Sequence, residues 1–244
     1  MAGRLRIGCA GWQLPAAVQD RFPPGPAHLA RYAQVFDAVE INSSFHRPHR
    51  PSTYASWAAQ VPDGFAFSAK LPKAITHERR LRECAGLLDA FLAQSAPLGA
   101  KLACLLVQLP PSLAFEEDVA GRFFGALGRR SAASVAVEPR HASWFAPPVH
   151  EWLVARRIAR VLADPVRHAG GEAPGGWPGG AYLRLHGSPR TYYSSYPDDL
   201  LQRLALRLQR EAQAGRDVWC IFDNTAGQAA AGNALQLRAL VGQT

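Results

Sequence analysis

Charged and polar residues follow the short apolar runs of this sequence, at the points where those runs end. Glu40 and Glu138 close two such runs, and His141 and His186 lie at or just after the ends of two. Carboxyl and imidazole groups are the side chains that most often act as general acids and bases. These four residues are therefore the candidate catalytic residues. The candidate substrate-binding residues at the same ends are Trp12, Asn42, Lys70, Gln108, Arg140, Trp144, Asp164, Arg184 and Asn224.

Each candidate also has a structural explanation that the sequence leaves open. Glu40 and Glu138 are either an acid–base pair or the partners of a neighbouring arginine or lysine. Lys70 is a Schiff-base lysine if burial lowers its pKa, or else an anion clamp or the partner of Glu40. Arg140 and Arg184 have the planar fork that binds carboxylate or phosphate, and they can equally pair with nearby acidic residues. The alternative to a binding site is a polar network that only closes one end of the fold.

The remaining polar candidates are equally open. His141 and His186 suit an acid, a base or a ligand. Asp223 and Asn224 either position substrate hydroxyl groups or cap the turn into the last helix. Aromatic side chains in the loops either stack on a sugar or base, or pack the loops together. These aromatic residues are Trp12, Phe45, Trp144, Tyr192 and Tyr193.

A metal site has weaker support than an anion site. Oxygen and imidazole ligands are available at the run ends, but the sequence has no His-x-His and no His-Glu-x-x-His. The lysine and arginines at the same ends also disfavour a cation. The phosphate loop, the dinucleotide fingerprint and the G-x-S-x-G elbow are absent as well. No metal or cofactor is therefore predicted.

The elements that must position these residues are eight apolar runs that alternate with helical patterns. Runs of nearly continuous hydrophobicity are typical of parallel strands buried on both faces. The predicted strands are residues 4–9, 38–42, 66–70, 103–108, 134–138, 160–164, 181–186 and 218–223. Eight alternations predict an α/β fold, a (β/α)8 TIM-type barrel, in which all strand ends meet at one face. A doubly wound open sheet is the alternative, because alternation alone does not show closure.

Helical spacing of apolar residues predicts seven helices. They cover residues 26–36, 52–60, 85–96, 116–128, 149–156, 198–213 and 228–240. The sixth connection differs, because residues 165–180 contain six glycines and three prolines, so a loop is predicted in place of helix six. The length of 244 residues is close to that of one barrel, about 250 residues. Residues 1–244 are therefore predicted to form a single domain.

Charge and cysteine content limit the partners and the location. The net charge is +8, and 24 of the 27 basic residues are scattered arginines. A basic surface attracts anions, which allows nucleic acid as a partner without favouring it. The four cysteines form no C-x-x-C pair and are expected to be reduced and buried. No run reaches the roughly 18 apolar residues of a membrane span, and no cleavage-site pattern is seen, so a cytoplasmic protein is expected.

Seven motifs, in order along nearly the whole chain, resemble the domain-of-unknown-function 72 (YecE-like) family. They read IGCAGW, FDAVEINSSFHRP, FSAKLPKAITH, LLVQLPPS, VEPRHASWF, YLRLHG and IFDNT. The resemblance implies a (β/α)8 barrel with a polar pocket at the carboxyl ends of its strands, and it implies no reaction. Its implied pocket residues are Glu40, Asn42, Lys70, Gln108, Glu138, Arg140, His141, Trp144, Asp164, Arg184, His186 and Asn224.

The sequence departs from that family pattern in three places. His46 stands where many members have tyrosine, and Asp223 precedes Asn224 where an asparagine pair is common. The segment after the seventh strand is short, which is expected to open the pocket.

The leading functional hypothesis is an enzyme that acts on a small anionic substrate, such as a phosphorylated sugar or nucleotide fragment. Lys70, Arg140 and Arg184 would hold the anion, Glu40 or Glu138 would be the base, and a histidine would be the acid. Hydrolysis or proton abstraction beside a carbonyl would suit these groups. The alternatives are a binding module for a metabolite or nucleic acid, and a metal-dependent phosphodiesterase. The oligomeric state is not predicted.

Overall fold

The computed structural model describes residues 2–242 and contains ten strands in two sheets. One sheet has the order β1-β10-β9-β7 and the other has the order β2-β3-β4-β5-β6-β8. All neighbours are parallel except β6 and β8. The strands are β1 (Leu5–Cys9), β2 (Ala38–Ile41), β3 (Ala66–Lys70), β4 (Leu102–Gln108), β5 (Ser134–Glu138), β6 (Ile158–Arg160), β7 (Leu162–Asp164), β8 (Gly175–Gly176), β9 (Gly180–Leu185) and β10 (Asp217–Phe222).

Strands β2 to β6 pair in the order of the sequence, β9 pairs with β10, and the first strand pairs with the last. A doubly wound sheet would instead have a point where the strand order reverses, and this fold has none within residues 2–242. Each predicted strand is found in its place, so the prediction of parallel sheets is confirmed. The sixth predicted strand is two short strands, β6 and β7, separated by Val161. Because β6 pairs with β5 and β7 pairs with β9, this extended stretch joins the two sheets.

The sheets meet a second time between β1 and β2, with few backbone hydrogen bonds. A single parallel bridge links Ala10 to Glu40, and the N–H of Gly11 donates to the carbonyl of Glu40 at 2.9 Å. The buried hydroxyl of Tyr32 fills part of the gap. It accepts from the N–H of Cys9 at 2.8 Å and donates to the carbonyl of Ala38 at 3.0 Å. The ladder is thus interrupted here, and a closed eight-stranded barrel ladder is not formed.

Close approach of β1 to β2 requires glycine at position 8. A Cβ atom on Gly8 would lie 2.2 Å from the carbonyl oxygen of Ala38 and 2.9 Å from the Tyr32 hydroxyl. We expect Gly8→Val to lower the free energy of unfolding by about 1–3 kcal/mol, because the strands must move apart. Urea unfolding would measure this. Gly121→Ala in a helix, where a Cβ meets no atom within 4 Å, should instead be neutral or slightly stabilising; equal effects of the two substitutions would contradict the argument.

Within residues 2–242, seven α-helices pack on the outer face of the sheets. They are α1 (His28–Tyr32), α2 (Pro51–Ala59), α3 (Ala85–Ser95), α4 (Glu117–Arg130), α5 (Pro147–Ala155), α6 (Asp198–Gln213) and α7 (Ala230–Gly242). All seven predicted helices are present, although the first is shorter than expected. Between β7 and β9 the chain forms no helix, only the two-residue strand β8, as the glycines and prolines predicted. No helix within residues 2–242 combines the length and apolar character needed to cross a membrane.

Two apolar clusters fill the fold. The larger lies between strands and helices and includes Phe67, Leu88 and Leu127. The smaller contains no helical residue and draws on strands of both sheets, including Ala38, Cys104 and Trp219. Because alternate residues of a strand point to opposite faces, this smaller cluster defines an inner face that the two sheets share. The residues beyond it toward the carboxyl ends of the strands are the candidate site.

Candidate functional site

Arg184 lies at the centre of three carboxylates on the inner face, and it is 1% exposed. Its Nε donates to Glu40 at 2.9 Å, and its Nη2 donates to the other Glu40 oxygen at 2.7 Å. Its Nη1 donates to Glu138 at 2.7 Å, and Nη2 also donates to Asp223 at 2.8 Å. We call these four residues the Arg184 cluster. Burial would lower the pKa of Arg184, but the three carboxylates outweigh it and raise that pKa well above its ordinary value.

Glu138 is held as a carboxylate by two arginines. It is fully buried and accepts hydrogen bonds from Arg184 and from Arg140. Burial alone would raise the pKa of Glu138, but the two guanidinium charges lower it well below the ordinary range. A carboxylate with a low pKa is a weak base. Glu138 is therefore a poor proton acceptor, and its hydrogen bonds orient the side chains of Arg184 and Arg140.

His186 is neutral and its tautomer follows from its partners. Its Nε2 lies 2.9 Å from Arg184 Nη1 and 3.0 Å from Arg140 Nη2, both of which can only donate. Nε2 therefore accepts, and Nδ1 carries the proton that it donates to the carbonyl oxygen of Asp164 at 3.1 Å. Burial and the two arginines lower the pKa of His186 to about 3, although Glu138 opposes them. An imidazole with that pKa is a hydrogen-bond acceptor near pH 7 and not a source of protons.

Lys70 differs from the arginines because no carboxylate pairs with it. It ends β3 and is 6% exposed, and its Nζ lies 4.1 Å from the centroid of the Phe45 ring. Among residues 2–242 no hydrogen bond or ion pair reaches this ammonium group. Burial and the charge of Arg184 lower the pKa of Lys70 to about 8, and nearby carboxylates only partly offset this. The predicted pairing of Lys70 with Glu40 is wrong, because Arg184 occupies both Glu40 oxygens.

Asp223 is the carboxyl group of the cluster whose pKa is raised. It is 4% exposed, and within residues 2–242 its carboxylate accepts one hydrogen bond, from Arg184 Nη2 to Oδ2 at 2.8 Å. Burial raises the pKa of Asp223 to about 6, although Arg184 lowers it. A buried carboxyl group with a pKa near neutrality suits proton transfer. Sequence reasoning noted Asp223 as a substrate-positioning or capping residue and did not place it among the catalytic candidates.

Tyr182 and Ser68 support the cluster from below and were missed in the sequence. The Tyr182 hydroxyl lies 2.9 Å from Glu40 and 2.9 Å from the Ser68 hydroxyl. Tyr182 is two residues before Arg184 on β9, and Ser68 is two residues before Lys70 on β3. The period of two in a strand places each pair on the same face. That alternation is the signal that could have identified both residues.

Hydrogen bonds of two asparagines and a tyrosine hold the loop after β9 in place. Asn224 donates to the carbonyl of Ser194 and to Oδ1 of Asn233, both at 2.9 Å. The Tyr196 hydroxyl donates to Asp164 at 2.6 Å and accepts from the N–H of Gly187 at 2.8 Å. The carboxylate of Asp164 thus accepts a hydrogen bond from the loop, and the backbone carbonyl of Asp164 accepts one from His186. Tyr192 lies in the same loop, with its ring 5.9 Å from that of His186.

The structure places three predicted residues apart from the Arg184 cluster. Trp144 is 1% exposed in the larger core, where its indole N–H donates to the carbonyl of Leu113 at 3.0 Å. His141 accepts at Nδ1 from the N–H of Ser143 and so caps a short 3-10 helix. Trp12 packs edge to face on Trp57 at 5.0 Å. These contacts give each ring a part in holding a loop, and the roles in catalysis or binding that the sequence suggests for these residues stay predictions.

Three polar atoms of the candidate residues have no hydrogen-bond partner within residues 2–242. Oδ1 of Asn42, Oδ1 of Asn224 and Nε of Arg140 are buried and make no hydrogen bond. Gln108 ends β4 opposite Glu138 and is half-buried. Buried polar atoms are nearly always satisfied, so these three are among the exceptions of this fold. No group of three or more histidine, cysteine or acidic residues within residues 2–242 is arranged to hold a metal ion.

Comparison with known proteins identifies the family of this chain. The family described as "Protein of unknown function DUF72" matches residues 6–244. The chain belongs to this family. It is 30% identical over 174 residues to UPF0759 protein YecE of Escherichia coli K12, a match that covers 66% of the chain and 59% of that relative. UPF0759 protein YunF of Bacillus subtilis is 24% identical, with 97% of the chain and 94% of YunF covered.

Solved structures of the DUF72 family share the fold. A protein from Enterococcus faecalis V583 superposes with a TM-score of 0.80 at 20% identity, covering 98% of this chain and 96% of that one. A second, from Thermotoga maritima, gives a TM-score of 0.78 at 22% identity, covering 98% and 99%. At such identity the likeness concerns the fold alone. The family has no known activity in its description, so the function must be argued from the site.

Proposed function

We propose that this DUF72 protein is an enzyme that transfers protons on a small hydroxylated anion, such as a sugar phosphate, at the carboxyl ends of its strands. The two sheets together would act as one (β/α)8 barrel, with the site at the face where barrel enzymes carry out chemistry. One observation supports this above all others. Lys70 is buried, cationic and unpaired, beside three carboxylates that are all engaged by Arg184.

The unpaired atoms favour a particular ligand chemistry. An ammonium group and the buried Nε of Arg140 are cationic donors that lack acceptors. Oδ1 of Asn42 and Oδ1 of Asn224 are acceptors that lack donors. A ligand that complements them carries an anionic group and at least two hydroxyl groups. Cationic donors in a site from which water is largely excluded bind an anion more strongly than they would in water.

The roles within the site follow from the charges. Asp223, whose pKa burial raises to about 6, would take a proton from the carbon beside a carbonyl and later return it. Lys70 would bind the anionic group of the substrate, and Arg140 would stabilise the negative charge that develops on the carbonyl oxygen. Glu40 and Glu138 would be positioning residues that orient Arg184 and Arg140. This assigns to Asp223 the base role that the sequence predicted for Glu40 or Glu138, while hydrolysis of the same anion remains the alternative reaction.

A binding experiment with a matched pair of lysines tests the anion site. Ribose 5-phosphate and inorganic phosphate would be titrated against the wild type, Lys70→Met and Lys73→Met in a thermal-unfolding assay. Lys73 is three residues away, exposed, and lies 3.6 Å from Glu78, so its loss changes the net charge equally. At about 100 times its Kd a ligand adds about 2.7 kcal/mol of stability. We expect this gain in the wild type and in Lys73→Met, and its loss in Lys70→Met.

A second measurement separates catalysis from binding. Deuterium uptake from D2O at the carbon beside the carbonyl would be followed for each sugar phosphate that binds. We expect uptake in the wild type and a loss of at least about a hundredfold in Asp223→Asn, the usual scale for a general base. Binding without uptake would favour the metabolite-binding module. If no anion binds, or if both lysine variants bind equally, the proposed site is wrong.

A further inference from the structure

A cavity lies at the end of the inner face where the strands begin, opposite the Arg184 cluster. Its volume is about 140 Å³. Its walls come from the first three residues of several strands and from the loop before β9, and Tyr182, whose hydroxyl is hydrogen-bonded to Glu40, lies between it and the Arg184 cluster. Its lining residues include Arg6, Ala136, Ala159, Trp177, Tyr182 and Trp219.

Small side chains leave this space open. Barrel interiors are normally filled by layers of bulky branched residues. Here the inward positions of the lower strands carry Ala136 and Ala159, with Ala38, Ala66 and Cys104 in the same small cluster. Two aromatic rings form one wall, because Tyr182 and Trp219 stack with centroids 5.8 Å apart and planes 7° apart. The result is a cavity with apolar walls and a flat aromatic side.

One cation faces this space without a hydrogen bond or an ion pair. Arg6 is 8% exposed, and its guanidinium carbon lies 5.1 Å from the centroid of the Trp219 ring. No hydrogen bond or ion pair reaches its side chain from any residue that the structure describes. The carboxylate of Asp217 also lines the cavity, but it lies beyond ion-pair distance of Arg6, and its Oδ1 accepts from the backbone N–H of Arg4 at 3.1 Å. A charge buried in this way is costly unless an anion accompanies it.

We propose that this cavity binds a small aromatic monocarboxylate, with its carboxylate on Arg6 and its ring against the Trp219 wall. A single buried arginine matches a single negative charge, and its planar fork suits both oxygens of a carboxylate. An engineered cavity of about 150 Å³ in another protein holds benzene, so a ligand of benzoate size fits the volume. The apolar walls disfavour a strongly hydrated anion such as phosphate.

The experiment titrates benzoate by calorimetry into the full-length wild type and three variants. Arg6→Met removes the charge and keeps much of the side-chain length. Ala136→Leu fills the cavity and leaves the charge in place. Arg4→Met, at an exposed position just before β1 and two residues from Arg6, is the matched control for net charge. We expect benzoate to bind the wild type and Arg4→Met equally, and to bind Arg6→Met and Ala136→Leu at least about tenfold more weakly.

Two results would overturn the inference. One is the absence of benzoate binding to the wild type at millimolar concentration. The other is unchanged affinity in Arg6→Met and Ala136→Leu, which would place any bound benzoate elsewhere. If Arg6→Met does not fold, Ala136→Leu alone decides the outcome. Lys70→Met should bind benzoate as the wild type does, so failure of the anion site at the other end of the strands would be recognised separately.

Discussion

Replacing Arg184 with methionine is expected to lower the free energy of unfolding by about 3–5 kcal/mol, the usual cost of breaking a buried ion pair. Arg184 is the shared partner of three buried carboxylates. Without it, Glu40, Glu138 and Asp223 must either remain charged in a poorly solvated space or take up protons. Urea unfolding monitored by circular dichroism at about pH 7 would measure the loss, since stability falls linearly with denaturant.

The pH dependence of this loss has a definite sign. Carboxylates that lose their cation acquire folded pKa values above their unfolded values, so the folded variant binds more protons than the unfolded chain. Its stability relative to the wild type should therefore improve as the pH falls from about 7 to about 5. A second substitution, Glu40→Gln in the Arg184→Met background, should recover part of the loss because it removes one unpaired charge.

An exposed arginine provides the control. Arg203 pairs with Asp199 at 2.7 Å across one helical turn, and the two side chains are 67% and 65% exposed. Arg203→Met should change the free energy of unfolding by less than about 0.5 kcal/mol. A similarly small loss of unfolding free energy in Arg184→Met would show that water reaches the cluster and that its carboxylates do not depend on Arg184 for their charge. The assignment of Asp223 as the proton-transfer group would then lose its basis.

The sequence predicted the strands well because their signal is local. A parallel strand buried on both faces is a short apolar run, and each of the eight predicted runs forms part of the parallel sheets. The glycines and prolines between β7 and β9 likewise excluded a helix by their backbone properties alone. Closure between β1 and β2 was less predictable, because it depends on the Tyr32 hydroxyl and on Gly8 rather than on a run of strand residues.

Residue types at the strand ends identified three members of the Arg184 cluster, but not their partners. Glu40, Glu138 and Arg184 were all candidates, yet only the arrangement in space shows that one arginine occupies all three carboxylates. Trp144 and His141 follow β5 just as Arg140 does, and only the fold of that loop turns the indole into the core. Tyr182 was missed because a tyrosine within an apolar run resembles any other core residue until its hydroxyl is placed beside Glu40.

The Arg184 cluster also explains why the Lys70 ammonium group has no carboxylate partner. Each carboxylate that might neutralise an ammonium group is already engaged with a guanidinium group, whose fork forms several hydrogen bonds at once. The cost of burying Lys70 is then not offset within the protein. Functional sites commonly retain such unfavourable groups, because a residue optimised for stability would leave nothing for the ligand.

Lys70→Met is accordingly expected to be more stable than the wild type near neutral pH. Burial lowers the pKa of Lys70 from 10.5 to about 8, so the charged form is disfavoured in the folded state. A shift of that size corresponds to a cost on the order of 3–4 kcal/mol while the lysine is charged in both states. Methionine has a similar length and no charge, so the variant avoids this cost. Lys73→Met, at an exposed site, should show no such gain.

The gain should disappear at alkaline pH, which distinguishes it from better packing. Below about pH 8 both folded and unfolded wild type carry the charge, and the full cost is present. Between about pH 8 and about pH 10.5 the folded protein releases its proton before the unfolded chain does, so the wild type gains stability relative to the variant. Buried cysteines with raised pKa values, such as Cys9 and Cys220, destabilise both proteins alike over this range, so the difference between the two isolates Lys70. A gain that stays constant with pH would mean that methionine merely packs better, and a loss at all pH values would mean that the Lys70 ammonium is stabilised by the carboxylates and is not available to a ligand.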